Sequence, residues 1–286
     1  MTTFYTLLPD EPMSLTTKVF LALFFVGMAS VILYQFFKFF EQIYGIKHSK
    51  PFFVFGHLFN RRLTLNQLKV LQKEFTFYKA LPKKHQRYFE HRVASFIKDK
   101  EFSGRDGVEV TDQMLVLVSA TAVMLTFGFR KYLIETIDSV LIYPGSYYSK
   151  INEAYHNGEF NPRAKALVLS WEHFVKGYDI SNDNLNLGIH EMTHAIHLNG
   201  LKENDISAFI FKNKFLDLTE YLSKNEHLRK KLIETKYFRK YAFTNQFEFL
   251  AVLVETFMET PKEFKSRFPK IYQQVKQMLN FDFAGY

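Results

Sequence analysis

The chain has 286 residues, 47% of them hydrophobic, with 37 lysines and arginines against 29 acids. With no cysteine, disulfides and thiolate metal ligands are excluded, so any zinc would have to be held by histidine and carboxylate. The net charge of +8 is interleaved with acids, as in Lys262, Glu263, Lys265 and Arg267, and no helix-turn-helix, finger or aromatic-basic platform accompanies it. The excess therefore reads as solvated helix faces, and nucleic acid is not an expected partner.

Val19 to Phe37 carries only Ser30 and Gln35 as strongly polar residues and is flanked by Lys18 and Lys38. As a helix it covers roughly 30 Å, the thickness of a bilayer's hydrocarbon core. It lacks the basic start and small-residue cleavage site of a signal peptide. Asp10 and Glu11 precede it, whereas Lys38, Lys47, Lys50, Arg61 and Arg62 follow. The positive-inside rule therefore places residues 38–286 in the cytoplasm. The expected division is an extracytoplasmic 1–17, a transmembrane helix 18–38, a juxtamembrane linker 39–64 and a globular domain 65–286.

Within that domain, Leu65–Phe77 and Lys83–Lys98 read as helices. The apolar run Met114–Phe129 contains Ser119, Thr121, Thr126 and Gly128 and is short for a span, so a buried core helix is expected. Ser139–Tyr143 and Lys165–Trp171 are rich in β-formers and bounded by Pro144-Gly145, Asn157-Gly158 and Asn161-Pro162, which makes them short strands. Helices return at Asp205–Leu222, at Asn245–Met258 and from Pro261 to about Leu279. The fold class is α+β, mainly helical, with a small sheet ahead of the central motif.

That motif is His190-Glu-Met-Thr-His194. Two histidines four apart on a helix stand one turn above the other on one face and can grip one zinc ion. The adjacent Glu191 then lies where a general base for a metal-activated water is needed. Ser181-Asn182-Asp183-Asn184 supplies cap residues upstream, Asn199-Gly200 a stop downstream, and Gly188 points to a backbone passing close by. A third ligand must come from elsewhere. His197 is about 10.5 Å along the axis from His190, too far to focus on the same ion, and is expected to pack locally or hydrogen-bond in the supporting shell. Glu248 and Glu255 share one face of the predicted helix 245–258, and spacing alone does not choose between them.

In order along the chain, Val140-Leu-Ile-Tyr-Pro144, Val168-Leu-Ser-Trp171, Asp183-Asn-Leu-Asn186, the His190–His194 motif and Tyr241-Ala-Phe-Thr-Asn-Gln-Phe-Glu248 through Glu255 resemble the Mlc titration factor A family of zinc peptidases. The catalytic core of that family is similar to the anthrax lethal factor protease domain, and the resemblance covers roughly residues 85–280. It implies a zincin-like metallopeptidase domain in which Glu248 is the third ligand, Glu255 lies in the supporting shell and Tyr241 stabilises an oxyanion. It further implies a peptide or protein substrate, and a strand near Lys165–Trp171 is expected to pair with such a peptide by edge addition. Family members bind a transcriptional repressor of sugar uptake, so a membrane-tethered regulatory binder is the second functional expectation. Two departures stand out: His197 occupies a place where the family has Asp, and the N-terminal membrane helix is not part of the family pattern.

Overall fold

The computed structural model describes residues 13–56, 60–149, 153–179 and 184–286. It divides into two compact units, one ending at Ile43 and one spanning Tyr44–Tyr286. The first consists of most of α1 (Leu15–His48), a helix of 34 residues whose most apolar 18-residue window is entirely unburied. Such a helix reaches about 50 Å and is long and apolar enough to cross a membrane.

The second unit begins with α2 (Leu65–Glu74), α3 (Thr76–Ala80), α4 (Lys83–Asp99), β1 (Glu101–Gly104) and α5 (Asp112–Leu125). The helix expected over Leu65–Phe77 is broken at Phe75, which takes an extended conformation while its ring is buried among core aromatics. The apolar run from Met114 is a core helix, as its length suggested, and nearly every residue of α5 from Met114 to Leu125 is buried. Next come β2 (Ser139–Tyr143), β3 (Tyr147–Ser149), β4 (Ala154–His156), β5 (Gly158–Asn161) and β6 (Ala166–Ser170). They lead into α6 (Trp171–Asp179), α7 (Leu187–Lys202), α8 (Ile206–Lys224) and α9 (Glu226–Glu234). A 3-10 turn at Lys240–Phe243 precedes α10 (Gln246–Glu259), α11 (Pro261–Arg267) and α12 (Pro269–Met278).

The main sheet has the order β1-β2-β6-β5, with β1, β2 and β6 parallel and β5 antiparallel at one edge. β3 and β4 form a separate hairpin. All five residues of β6 are buried, as a strand with neighbours on both sides requires. The expectation that a strand at Lys165–Trp171 offers a free edge is therefore corrected. Gly158–Asn161, which the sequence marks only by turn dipeptides at both ends, is the edge strand, and it lies against α7. α7 packs on α10, α8, α5 and the sheet, which places the His190–His194 motif at the centre of the unit.

Candidate metal centre

The motif helix is fixed first at its start. Asn186 caps α7: its Oδ1 accepts the Ile189 N–H at 3.0 Å and its Nδ2 donates to the Gly177 carbonyl at 2.9 Å. Of the cap residues expected upstream, 181–183 lie outside the described residues, and the cap in use is Asn186. The helix also runs on to Lys202, through the expected stop. Asn199 is not free to end it, because its Oδ1 accepts the Glu135 N–H at 2.8 Å. Gly188 faces a ring rather than a backbone: a Cβ there would lie 2.5 Å from the Phe174 edge.

On this helix His190 and His194 turn their Nε2 atoms toward one another at 3.2 Å. From α10, Glu248 brings its carboxylate to 3.0 Å from the His190 Nε2 and 3.6 Å from the His194 Nε2. Three donors bound tetrahedrally at zinc's usual 2.0–2.1 Å are separated by about 3.3 Å. The three groups thus have the spacing of a shared cation. Two imidazole lone pairs and a carboxylate converging in a half-buried site also form a donor set that suits zinc better than calcium or magnesium.

Glu255 is fully buried, with its Oε1 2.5 Å from the His190 Nδ1 and its Oε2 accepting the Asn186 N–H at 3.2 Å. That contact fixes the tautomer with the proton on Nδ1 and turns the Nε2 lone pair to the metal position. Of the two acids that spacing left open, Glu248 faces the histidine nitrogens and Glu255 stands behind the first of them.

Arg239 and His197 differ in how far the sequence announces their roles. Arg239 donates to the Glu255 Oε1 at 2.6 Å and to the Asn184 carbonyl at 3.2 Å, and nothing in the spacing of the motif announces it. Its only signal is its place two residues before Tyr241. His197, by contrast, sits among Phe211, Phe215 and Phe247, with ring centroids 4.5–6.0 Å away, and its Nδ1 has no hydrogen-bond partner among the described residues. Of the two expected roles it has the packing one and supports no ligand. Burial pushes its pKa down to about 4.

Glu191 accepts the Phe160 N–H of β5 at 3.0 Å, so the edge strand steadies the carboxylate next to the cation position. Gly158 permits this approach, because a Cβ there would meet the Leu187 side chain at 2.6 Å and the Glu191 Cγ at 3.1 Å. Burial raises the Glu191 pKa to about 7, against the pull of the His190 charge and the Phe160 hydrogen bond. Burial likewise works against protonation of His190, but Glu248 and Glu255 outweigh it and raise its pKa to about 9, so a cation at Nε2 would have to displace a proton; His194, half-buried and beside His190, is lowered to about 4. Burial also works against charge on Glu248, yet His190, His194 and the Tyr241 hydroxyl hold it below the usual carboxylate range. Tyr241 stands on the 3-10 turn, half exposed, with its ring 6.1 Å from that of His190. It lines a cleft of about 490 Å³ together with Gly158, Lys176, Leu187, Glu191 and Arg239.

A family model described as glucose-regulated metallo-peptidase M90 matches residues 56–280. An uncharacterized protein of Synechocystis sp. is 25% identical over 242 residues, which cover 77% of this chain and 85% of that protein.

Proposed function

Because this chain belongs to the glucose-regulated metallo-peptidase M90 family, we propose that it is a membrane-anchored zinc peptidase with His190, His194 and Glu248 as ligands and Glu191 as general base. The observation that carries this reading is the convergence of three donor groups, the Glu248 carboxylate approaching the two Nε2 atoms to 3.0 and 3.6 Å and these lying 3.2 Å apart, beside a half-buried carboxylate that is not one of them. When bound, zinc supplies Lewis acidity that lowers the pKa of a water and polarises a carbonyl. Glu191 removes the proton of the attacking water and later delivers a proton to the leaving amine. The Tyr241 hydroxyl donates to the oxygen on which negative charge develops. With the Phe160 N–H held by Glu191, the outward groups that β5 has left pair with the backbone of an extended peptide and carry its scissile bond to Glu191. α1 anchors the enzyme, with residues 38–286 in the cytoplasm as the charge bias directs.

The test uses the full chain purified in detergent. Metal analysis should find about one zinc per chain, and a peptide library should be cleaved. Glu191→Gln should keep the zinc and lose at least about 100-fold in turnover. Glu248→Ala should lose both zinc and turnover. Undiminished cleavage by metal-verified Glu191→Gln protein overturns the assignment of the base.

A further inference from the structure

Arg239 has a geometry that a surface ion pair does not require. Its Nη2 reaches the Glu255 Oε1, its Nη1 reaches the Asn184 carbonyl just ahead of α7, and its chain position is the residue that opens the 3-10 turn carrying Tyr241. Nη2 also lies 3.0 Å from the His190 Nδ1, but the two nitrogens are donors that converge on the same carboxylate oxygen. A proton on Nδ1 is what leaves Nε2 free for a metal, so the histidine donates to Glu255 and not the guanidinium to the histidine.

From this geometry we infer that Arg239 is a positioning residue for the metal centre, and that it acts through Glu255 on His190 and through its own backbone on Tyr241. Glu255 has no exposed surface, and among the described residues Arg239 is the only arginine or lysine that pairs with it. Removing the guanidinium leaves a buried carboxylate with an imidazole and one amide as donors and no compensating charge, which weakens its hold on the orientation of His190. The planar fork matters too: one arm holds Glu255 while the other holds the Asn184 carbonyl, and a lysine ammonium has no second arm at that separation. The turn Lys240–Phe243 is thereby tied both to the entrance of α7 and to the middle of α10.

The inference rests on the zinc reading above, and a double-mutant cycle read by zinc affinity separates the two. Zinc binding to the full chain is measured by competition with a chromophoric chelator for wild type, Arg239→Leu, Glu255→Gln and the double variant. Arg239→Leu and Glu255→Gln should each weaken zinc by about 10–100-fold, and the double variant should be no weaker than the worse single one. Additive losses, or a zinc affinity in Arg239→Leu equal to wild type, overturn the inference while the zinc site itself stands. Absence of zinc from the wild-type chain overturns the functional reading first. Arg239→Lys provides an independent arm. It should hold zinc within about fivefold of wild type, because the charge beside Glu255 is kept, yet lose kcat at unchanged KM because the Tyr241 turn is no longer pinned. A kcat equal to that of wild type in Arg239→Lys overturns the link to Tyr241.

Discussion

His197 shows how one side chain can fit the sequence pattern of a site and do something else. It stands seven residues after His190, yet its ring is enclosed by Phe211, Phe215 and Phe247 and stays neutral. Its folded pKa of about 4 lies below the 6.5 of an unperturbed histidine. Above pH 6.5 neither the folded nor the unfolded form is protonated there, and stability is unaffected. As pH falls from about 6.5 to 4, only the unfolded chain takes up the proton, and stability is lost. The loss reaches about 2 kcal/mol at pH 5. His197→Leu should therefore narrow the gap between urea midpoints at pH 7 and pH 5, and an unchanged gap would show that the ring is hydrated. The same residue accounts for the departure from the family pattern. This position carries no acid, and the carboxylate that meets the His190 Nδ1 is that of Glu255, 65 residues away in sequence.

Among the elements, α7 governs the site, and its most demanding contact is at Gly188. A methyl group would improve helix propensity by about 1 kcal/mol, but it would press on Phe174, a ring with no exposed surface that is stacked on Trp171. Overpacking of this kind costs about 1–3 kcal/mol, so Gly188→Ala should lower the thermal midpoint in spite of the better propensity. A raised midpoint would mean that Phe174 can move aside. Much of α7 and α10 was legible in the sequence because a helix writes its faces at short range: His190 and His194 follow from the motif, and periodicity put Glu248 and Glu255 on one face, although only the family resemblance chose between them. The edge strand β5 was not legible, because four residues between two turn dipeptides carry no period. Its role depends on pairing with β6 and on the Phe160 N–H reaching Glu191 across 31 positions. Arg239 was hidden for the same reason, since its partners lie 16 and 55 residues away. α9, rich in lysine and glutamate, gave no apolar stripe strong enough to be read, and Asn199-Gly200 misled because tertiary bonding of Asn199 outweighs a local stop signal.

Across the globular unit, the segment that follows α1 is docked rather than loose. Arg92 is fully buried, donating to the carbonyls of Val54, Thr126 and Phe127 while its guanidinium lies over the rings of Phe55 and Tyr132 at 4.8 and 4.4 Å. Burial lowers its pKa to about 9, which leaves it charged at neutral pH. Arg92→Met would strand the Val54 and Phe127 carbonyls, the Thr126 carbonyl keeping the Phe129 N–H, and free the Phe52–Phe55 stretch, at a cost of about 2–4 kcal/mol. Chemical denaturation should register that loss together with new proteolytic cleavage near Phe55, and protection equal to wild type would show that the aromatic contacts hold the segment alone.

The stack of Trp171 on Phe174, at 5.5 Å, has a practical consequence. The chain contains a single tryptophan, so all of its indole emission arises beside the ring that touches the helix two residues ahead of His190. If the proposed site takes up a cation, the colour or intensity of this one fluorophore is expected to change, and titrating the unlabelled chain would register it without a substrate.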